Sequence, residues 1–515
     1  MAKTLSKRYS GVLAHPTSFP SPYGIGDFGK GAYDFINFLT GAGQSLWQIL
    51  PLGHTGYGDS PYQAFSAFAG QPLLISPDEL IKDGLLYGDD LRDYPHFNPD
   101  HIYYGDVIPA KLRILHRSYE IFKESADLCM LKEFDVFCEH EKDWLDDYAL
   151  FMAGKDAHGG ACWLEWEDDL RDPDEEIKAA WCERLADSIE YYKYIQFIFF
   201  RQWNAIRDYA HVNGIKIVGD IPIFVALDSA DVWANRELFQ LEKDGYPTVV
   251  AGVPPDYFSA TGQLWGNPHY AWREHEKTGF AWWLSRIQKN LQDVDILRID
   301  HFRGFSACWE VAFGAEDTRG GKWTSAPGEA FFTLLKEKLG SPLPLIAEDL
   351  GIITDEVAAL RDFAGLPGMR ILQFAFGQEK NNPYLPHCYD KNTVVYTGTH
   401  DNDTTNGWYQ AATEQEKDHY RRYLNVDGSN AAWDFIRLAL SSPADTAILP
   451  LQDVLSLGTE HRMNIPGTTK GNWGFTFSFD WWQEGFSEGL RYLSALFGRN
   501  EQTEKAAEET DEFLR

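Results

Sequence analysis

Short apolar runs recur along the chain, each bounded by turn-forming residues, which is how fully buried parallel strands read. They fall at 11–14 (GVLA), 45–50 (SLWQIL), 215–221 (IKIVGDI), 295–300 (DILRID), 343–348 (LPLIAE), 369–375 (MRILQFA), 393–397 (TVVYT) and 446–451 (TAILPL). Apolar positions at helical spacing lie between many of them, at 29–40, 186–209, 328–339 and 355–363. Strands alternating with helices predict parallel βαβ units of the α/β class. Eight such strands, with no strand-only block, predict a (β/α)8 TIM barrel. An open doubly wound sheet is the alternative on pattern alone.

The spacing is uneven. About 165 residues separate strands two and three, so residues 58–180 are expected to form an inserted subdomain. Strands three and four are about 75 residues apart, which predicts a second insertion of helices and loops over 228–290. Within it the Gly/Pro/aromatic stretch 245–270 reads as a long binding loop or lid. The whole chain, 1–515, is then one barrel with two insertions, although its length alone would allow roughly three domains.

Charge narrows the partners. Lys+Arg 46 against Asp+Glu 77 leaves a formal charge of −31, which argues against nucleic acid and against a polybasic membrane contact. A neutral ligand suits it better. The six cysteines show no CxxC pair and read as reduced thiols. The opening MAKTLSKRYSGVLAHPTSFP has no apolar signal core, and no run is apolar enough to span a bilayer, so a cytoplasmic location is expected. The acidic runs 165–176 and 500–512 read as solvated surface, and the last 15 residues as a frayed tail.

In barrels of this kind chemistry takes place where strands end at their carboxyl side. Four strand endings carry acids: Asp220, Asp300, Glu348 with Asp349, and Asp401 in GTHDND. One such acid is ordinarily a helix cap. Four on one rim, two of them beside His301 and His400, point to glycoside chemistry, which needs a pair of carboxyl groups across the scissile bond. Arg298 lies two residues before Asp300, so both side chains leave an extended strand on the same face. That offers a guanidinium to an ionised nucleophile, or a purely structural ion pair. An acid desolvated at the end of LPLIA suits a proton donor. Residue order alone leaves Glu348 against Asp349, and Asp401 against Asp403, open. No HExxH, Cys/His cluster or DxDxDG loop is present, and no GxGxxG, GxxxxGK[ST] or GxSxG, so neither a metal nor a cofactor is expected. Tyr257, Phe258 and Trp265 lie among Gly, Pro, Ser and Thr, a setting suited to the apolar face of a sugar.

These blocks together resemble amylomaltases, the bacterial 4-α-glucanotransferase (disproportionating enzyme) family. The resemblance runs from SGVLAHPTSFPSPYGIGDFG (10–29) to PGTTKGNW (466–473). Between them it includes WQILPLGHTGYGDSPYQAFSAFAG (47–70), GDIPIFVALDSADVWAN (219–235), GVPPDYFSATGQLWGNPHY (252–270), LRIDHFRGF (297–305), AEDLG (347–351), LPGMRILQFAF (366–376) and YTGTHDNDT (396–404). It implies a barrel with inserted subdomains and no separate C-terminal β domain. It implies Asp300 as nucleophile, Glu348 as acid/base and Asp401 as the carboxylate that fixes and distorts the sugar. Sugar contacts are implied at Arg298, His301, His400, Asp220, Asp349, Gln263, Trp265 and Asn472, and on the donor side at Tyr57, Asp59, Ser60 and Tyr62. Two departures are Gln71, where the family usually has Asn, and GNWGFTFS at 471–478, which lacks a basic-aromatic ending. The expected reaction is retaining transfer of an α-1,4-glucan segment from a maltooligosaccharide, starch or glycogen to the 4-hydroxyl of glucose or another glucan. The 252–266 loop is expected to cover the site and bind acceptor. The alternatives are an α-amylase-like retaining hydrolase and a non-catalytic glucan-binding protein. Oligomeric state is left open.

Overall fold

In the computed structural model, residues 7–255, 260–377, 382–481 and 484–500 are described. Eight parallel strands form one sheet: Tyr9–Leu13, Leu46–Gln48, Lys216–Pro222, Ile296–Asp300, Leu345–Ala347, Gly368–Ile371, Thr393–Tyr396 and Thr446–Pro450. Each overlaps one of the eight apolar runs. Strand one pairs with both two and eight, so the sheet wraps round as a barrel. Only the fifth and sixth strands lack a regular ladder.

At that seam other groups supply the hydrogen bonds. The Ala347 N–H donates to the Pro367 carbonyl at 3.0 Å. The Met369 N–H donates to Asp349 Oδ1 at 2.7 Å, so a carboxylate stands where a neighbouring strand would offer a carbonyl. Arg361 donates to the other carboxylate oxygen at 2.6 Å. Gly368 makes room for this arrangement. A Cβ there would lie 2.5 Å from Asp349 Oδ2 and 2.9 Å from its Cγ.

Helices pack against the barrel because their apolar residues keep to one side. In Lys30–Gly41 the buried positions Ala32, Phe35, Ile36 and Leu39 follow the i, i+3, i+4, i+7 pattern. Phe35 then packs on Trp47 of strand two, whose indole donates to the Ala14 carbonyl at 2.8 Å. Ala186–Val212, Ala281–Asp293, Gly328–Leu339 and Asp355–Ala364 lie between later strands. Over 58–180 the chain is largely helical, with the long pair Tyr104–Ser125 and Leu128–Ala157. Among the described residues no helix is long and apolar enough to cross a membrane.

Residues 228–290 were expected to hold only helices and loops, and here the structure differs. Val249–Val253 and Gln263–Pro268 are strands, and they join Ala307–Ala312 and Lys322–Ser325 in a four-stranded antiparallel sheet. Two of its strands precede barrel strand four and two follow it. Gly, Pro and polar residues break the alternation in VVAGV and QLWGNP, which hid these strands in the sequence.

The seam yields a direct test. Gly368→Ala should cost about 1–3 kcal/mol through overpacking, read as a lower thermal denaturation midpoint. Gly320→Ala, whose added Cβ would meet nothing within 4 Å, is the matched control and should leave the midpoint near that of the parent.

Candidate active site

The acids expected at strand ends do gather at one rim. Asp300 ends strand four, Glu348 follows strand five, and Asp401 lies in the turn after strand seven. Beneath them lies Arg298, fully buried. Its Nη1 donates to both oxygens of Asp220, at 2.8 and 2.6 Å, and its Nη2 donates to Asp300 Oδ1 at 2.9 Å. Burial alone would push the guanidinium's pKa down, but Asp220, Asp300, Tyr62 and Glu348 hold it well above its ordinary value. Tyr62 caps the pair from the loop after strand two, its hydroxyl donating to Asp220 Oδ2 at 2.8 Å.

Glu348 is held by backbone amides. The His301 N–H donates to Oε2 at 2.7 Å and the Leu350 N–H to Oε1 at 2.8 Å. The first bond depends on an unusual backbone, for His301 has φ 54° in the left-handed region. Burial, and then the negative charge of Asp300, raise the Glu348 carboxyl to about 8 despite Arg298 and the two amides. Desolvation and a like charge thus outweigh two hydrogen bonds and a nearby cation. His301 itself is lowered to about 3 by burial, then by Arg303, and is a neutral imidazole. Its ring meets Trp265 edge-on at 4.8 Å. Gln263 accepts from the Trp265 indole at 3.3 Å.

Across the rim Tyr62 stacks on His400, with centroids 5.1 Å apart and planes at 16°, and Trp473 packs against both rings. His400 Nε2 lies 3.3 Å from Asp401 Oδ1, and the Asp401 carboxylate is 48% exposed, open to a ligand. Ser60 shapes the preceding turn by accepting from the Tyr62 N–H at 3.3 Å. Asp59, at φ 57°, has its carboxyl raised by partial burial. The 57–59 turn contains Tyr57, whose side chain lies outside the described residues. Tyr257, Phe258 and the tail from 501 also lie outside them, so the expected roles of that loop and tail find no description here.

Three expected sugar contacts are placed differently. The Asp220 side chain has no exposure and is fully engaged by Arg298 and Tyr62, so it acts behind the rim. Asp349 turns to the opposite face from Glu348, as alternation along a strand requires, and is used at the barrel seam. Asn472 spends its amide within its own loop, accepting from the Ile465 N–H at 3.0 Å and donating to the Thr468 carbonyl at 3.0 Å. The Gln71 departure is structural. Its side chain donates to Thr55 Oγ1 at 2.6 Å and caps the 72–74 turn.

Two residues escaped the sequence reading. Asn464 donates to Asp401 Oδ1 at 2.6 Å, and Arg462 donates to the Asp401 carbonyl. Both follow strand eight, and no local pattern ties that loop to the end of strand seven.

Comparison with known proteins identifies the family. A family profile described as 4-alpha-glucanotransferase matches residues 14–480. The chain belongs to this family. It is 50% identical over 498 residues to the 4-alpha-glucanotransferase of Synechocystis, covering 96% of this chain and 99% of that one. It is 49% identical to the Thermus thermophilus 4-alpha-glucanotransferase, over 91% and 94% of the two chains. Among solved structures, an amylomaltase from Streptococcus agalactiae in complex with acarbose superposes with TM-score 0.93 at 38% identity, covering 96% of this chain and 100% of that one. An amylomaltase from Corynebacterium glutamicum, at 19% identity and TM-score 0.77 over 95% and 75% of the chains, shares the fold. The expected barrel and the expected family are both met, and the chain is a 4-alpha-glucanotransferase.

Two measurements follow from the site. Glu348 holds its proton below about pH 8 and loses it above, so kcat/KM for transfer should fall as pH rises through that value. A flat profile to pH 9 would contradict this environment. Asp220→Ala leaves the buried guanidinium with Asp300 as its one directly paired carboxylate, and should lower stability by about 3–5 kcal/mol in thermal or denaturant unfolding.

Proposed function

We propose that this 4-alpha-glucanotransferase works by retaining double displacement on α-1,4-glucans. Asp300 attacks the anomeric carbon, and the bond from that carbon to the leaving 4-oxygen breaks as Glu348 delivers its proton there. A glycosyl ester on Asp300 remains. Glu348, now ionised, takes the proton from the 4-hydroxyl of an arriving sugar. That oxygen attacks the same carbon, the ester bond breaks, and an α-1,4 link is restored. Asp401, beside His400 and fixed by Asn464, holds the ring being transferred. Tyr62 and Trp265 flank it.

The observation that carries this reading is the contrast between the two carboxyls. Asp300 shares the guanidinium of Arg298, whereas Glu348 is raised to about 8 and keeps a proton at neutral pH. A carboxyl that keeps its proton beside one paired with a guanidinium is suited to a different job. Maltooligosaccharides, starch or glycogen are the donors on this reading, with glucose among the acceptors. Six unpaired cysteines suit a reducing cytoplasm.

Incubation with maltotriose alone should give a ladder of longer oligosaccharides plus glucose, by chromatography. Maltose and glucose without longer products would mean hydrolysis. Asp300→Asn should abolish the ladder while retaining glucan binding by calorimetry. Glu348→Gln should lower turnover by about 10²–10⁴.

A further inference from the structure

The four-stranded sheet carries an aromatic side chain that the site described above does not use. Trp323 lies on the edge strand Lys322–Ser325 and is 40% exposed. A large ring on an exposed edge strand is normally avoided, because it offers a sticky surface. This one is rigidly mounted. The buried guanidinium of Arg303 lies under the ring, 3.8 Å from its centroid, and Trp309 on the neighbouring strand meets it at 5.1 Å and 67°. Arg303 in turn donates to the Ile352 carbonyl. Ring, cation and loop are thus joined in one piece.

That mounting is continuous with the site. Arg303 belongs to the turn at 302–305, directly after His301, and Ile352 to the loop after Glu348. The same two segments give Glu348 its hydrogen bonds, from His301 and Leu350. Four residues of extended chain reach at most about 14 Å, so Ile352 is only a few sugar units from the acid. The side is defined as well. The leaving oxygen and the attacking 4-hydroxyl both meet Glu348, so the acid's side of the scissile bond is the acceptor side. Asp401, His400 and Tyr62 hold the opposite side. Ser325, two residues on along the strand, presents its hydroxyl on the same face as the ring.

We propose that the outer face of the Trp323 indole is an acceptor platform, stacking on a glucose unit of an incoming oligosaccharide beyond the one that reacts. An amphipathic ring fixed by a cation beneath it can meet the apolar face of a sugar without losing side-chain freedom on binding. This rests on the assignment of Glu348 as the acid/base. The platform rewards acceptors of several units and leaves glucose, which is too short to reach it, without that contact.

The test compares glucose with maltotetraose as acceptor at a fixed donor concentration, in the full-length enzyme. Trp323→Leu keeps bulk over Arg303 but removes the ring. Trp323→Phe keeps a ring. The preference for maltotetraose over glucose, as the ratio of kcat/KM values, should fall roughly three- to tenfold in Trp323→Leu and stay near the parent value in Trp323→Phe. Thermal unfolding checks that both variants fold. A purely structural role for Trp323 would slow both acceptors in proportion, and an unchanged ratio in Trp323→Leu would overturn the proposal. Unchanged turnover in Glu348→Gln would instead overturn the acid/base assignment on which the proposal rests. The two failures are therefore separable.

Discussion

The site is organised around one buried cation. Arg298 binds Asp220 with both carboxylate oxygens and Asp300 with one, and Tyr62 closes the group from above. A buried ion pair of this kind is poor evidence for stability, because desolvation offsets most of the attraction. Its effect here is on charge. One positive group faces two carboxylates, so the pocket is already negative before Glu348 is counted. Burial of the Glu348 carboxyl, and then the negative charge of Asp300, outweigh the pull of the guanidinium, and Glu348 retains its proton. On the double-displacement reading, the contrast between Asp300 and Glu348 reflects burial of the one and the guanidinium held against the other, with Glu348 the buried acid and Asp300 the paired one, and Asp220 takes part without touching solvent.

Backbone geometry does comparable work. Six described non-glycine residues have positive φ, and three of them, Asp59, His301 and Trp473, are at the rim. Such conformations cost about 1–3 kcal/mol each and persist where the surrounding structure over-determines them. At His301 the reason is visible, since the twisted backbone aims an N–H at Glu348 and turns the imidazole towards Trp265. The site's geometry is built into the turns before any sugar arrives.

The eight barrel strands were legible because each is a short run buried on both faces, and the helices because their apolar positions keep a helical period. Asp300 and Arg298 were legible as a pair two residues apart on one strand. Glu348 and Asp349 were not separable from residue order, and the family resemblance, which implied Glu348 as the acid/base and Asp401 over Asp403, gave no sign of the seam role of Asp349. The use of Asp349 at the barrel seam depends on Gly368 and Arg361, which the sequence separates from it by 19 and 12 positions. Asn464 was hidden for the same reason, as its partner Asp401 is 63 residues earlier. The antiparallel sheet was missed because its strands pair across the intervening barrel strand and carry glycine and proline. Contacts made at long range between irregular segments leave no periodic trace.

That sheet bears on how this protein can vary. Its strands come from two loops on either side of barrel strand four, and hydrogen bonds stitch them together through Val249–Val253 and Ala307–Ala312. Neither loop can be exchanged alone without leaving an unpaired edge behind. Whoever grafts this sheet from one such enzyme onto another must therefore transplant both halves with the strand between them, and natural divergence in this region is bound by the same constraint.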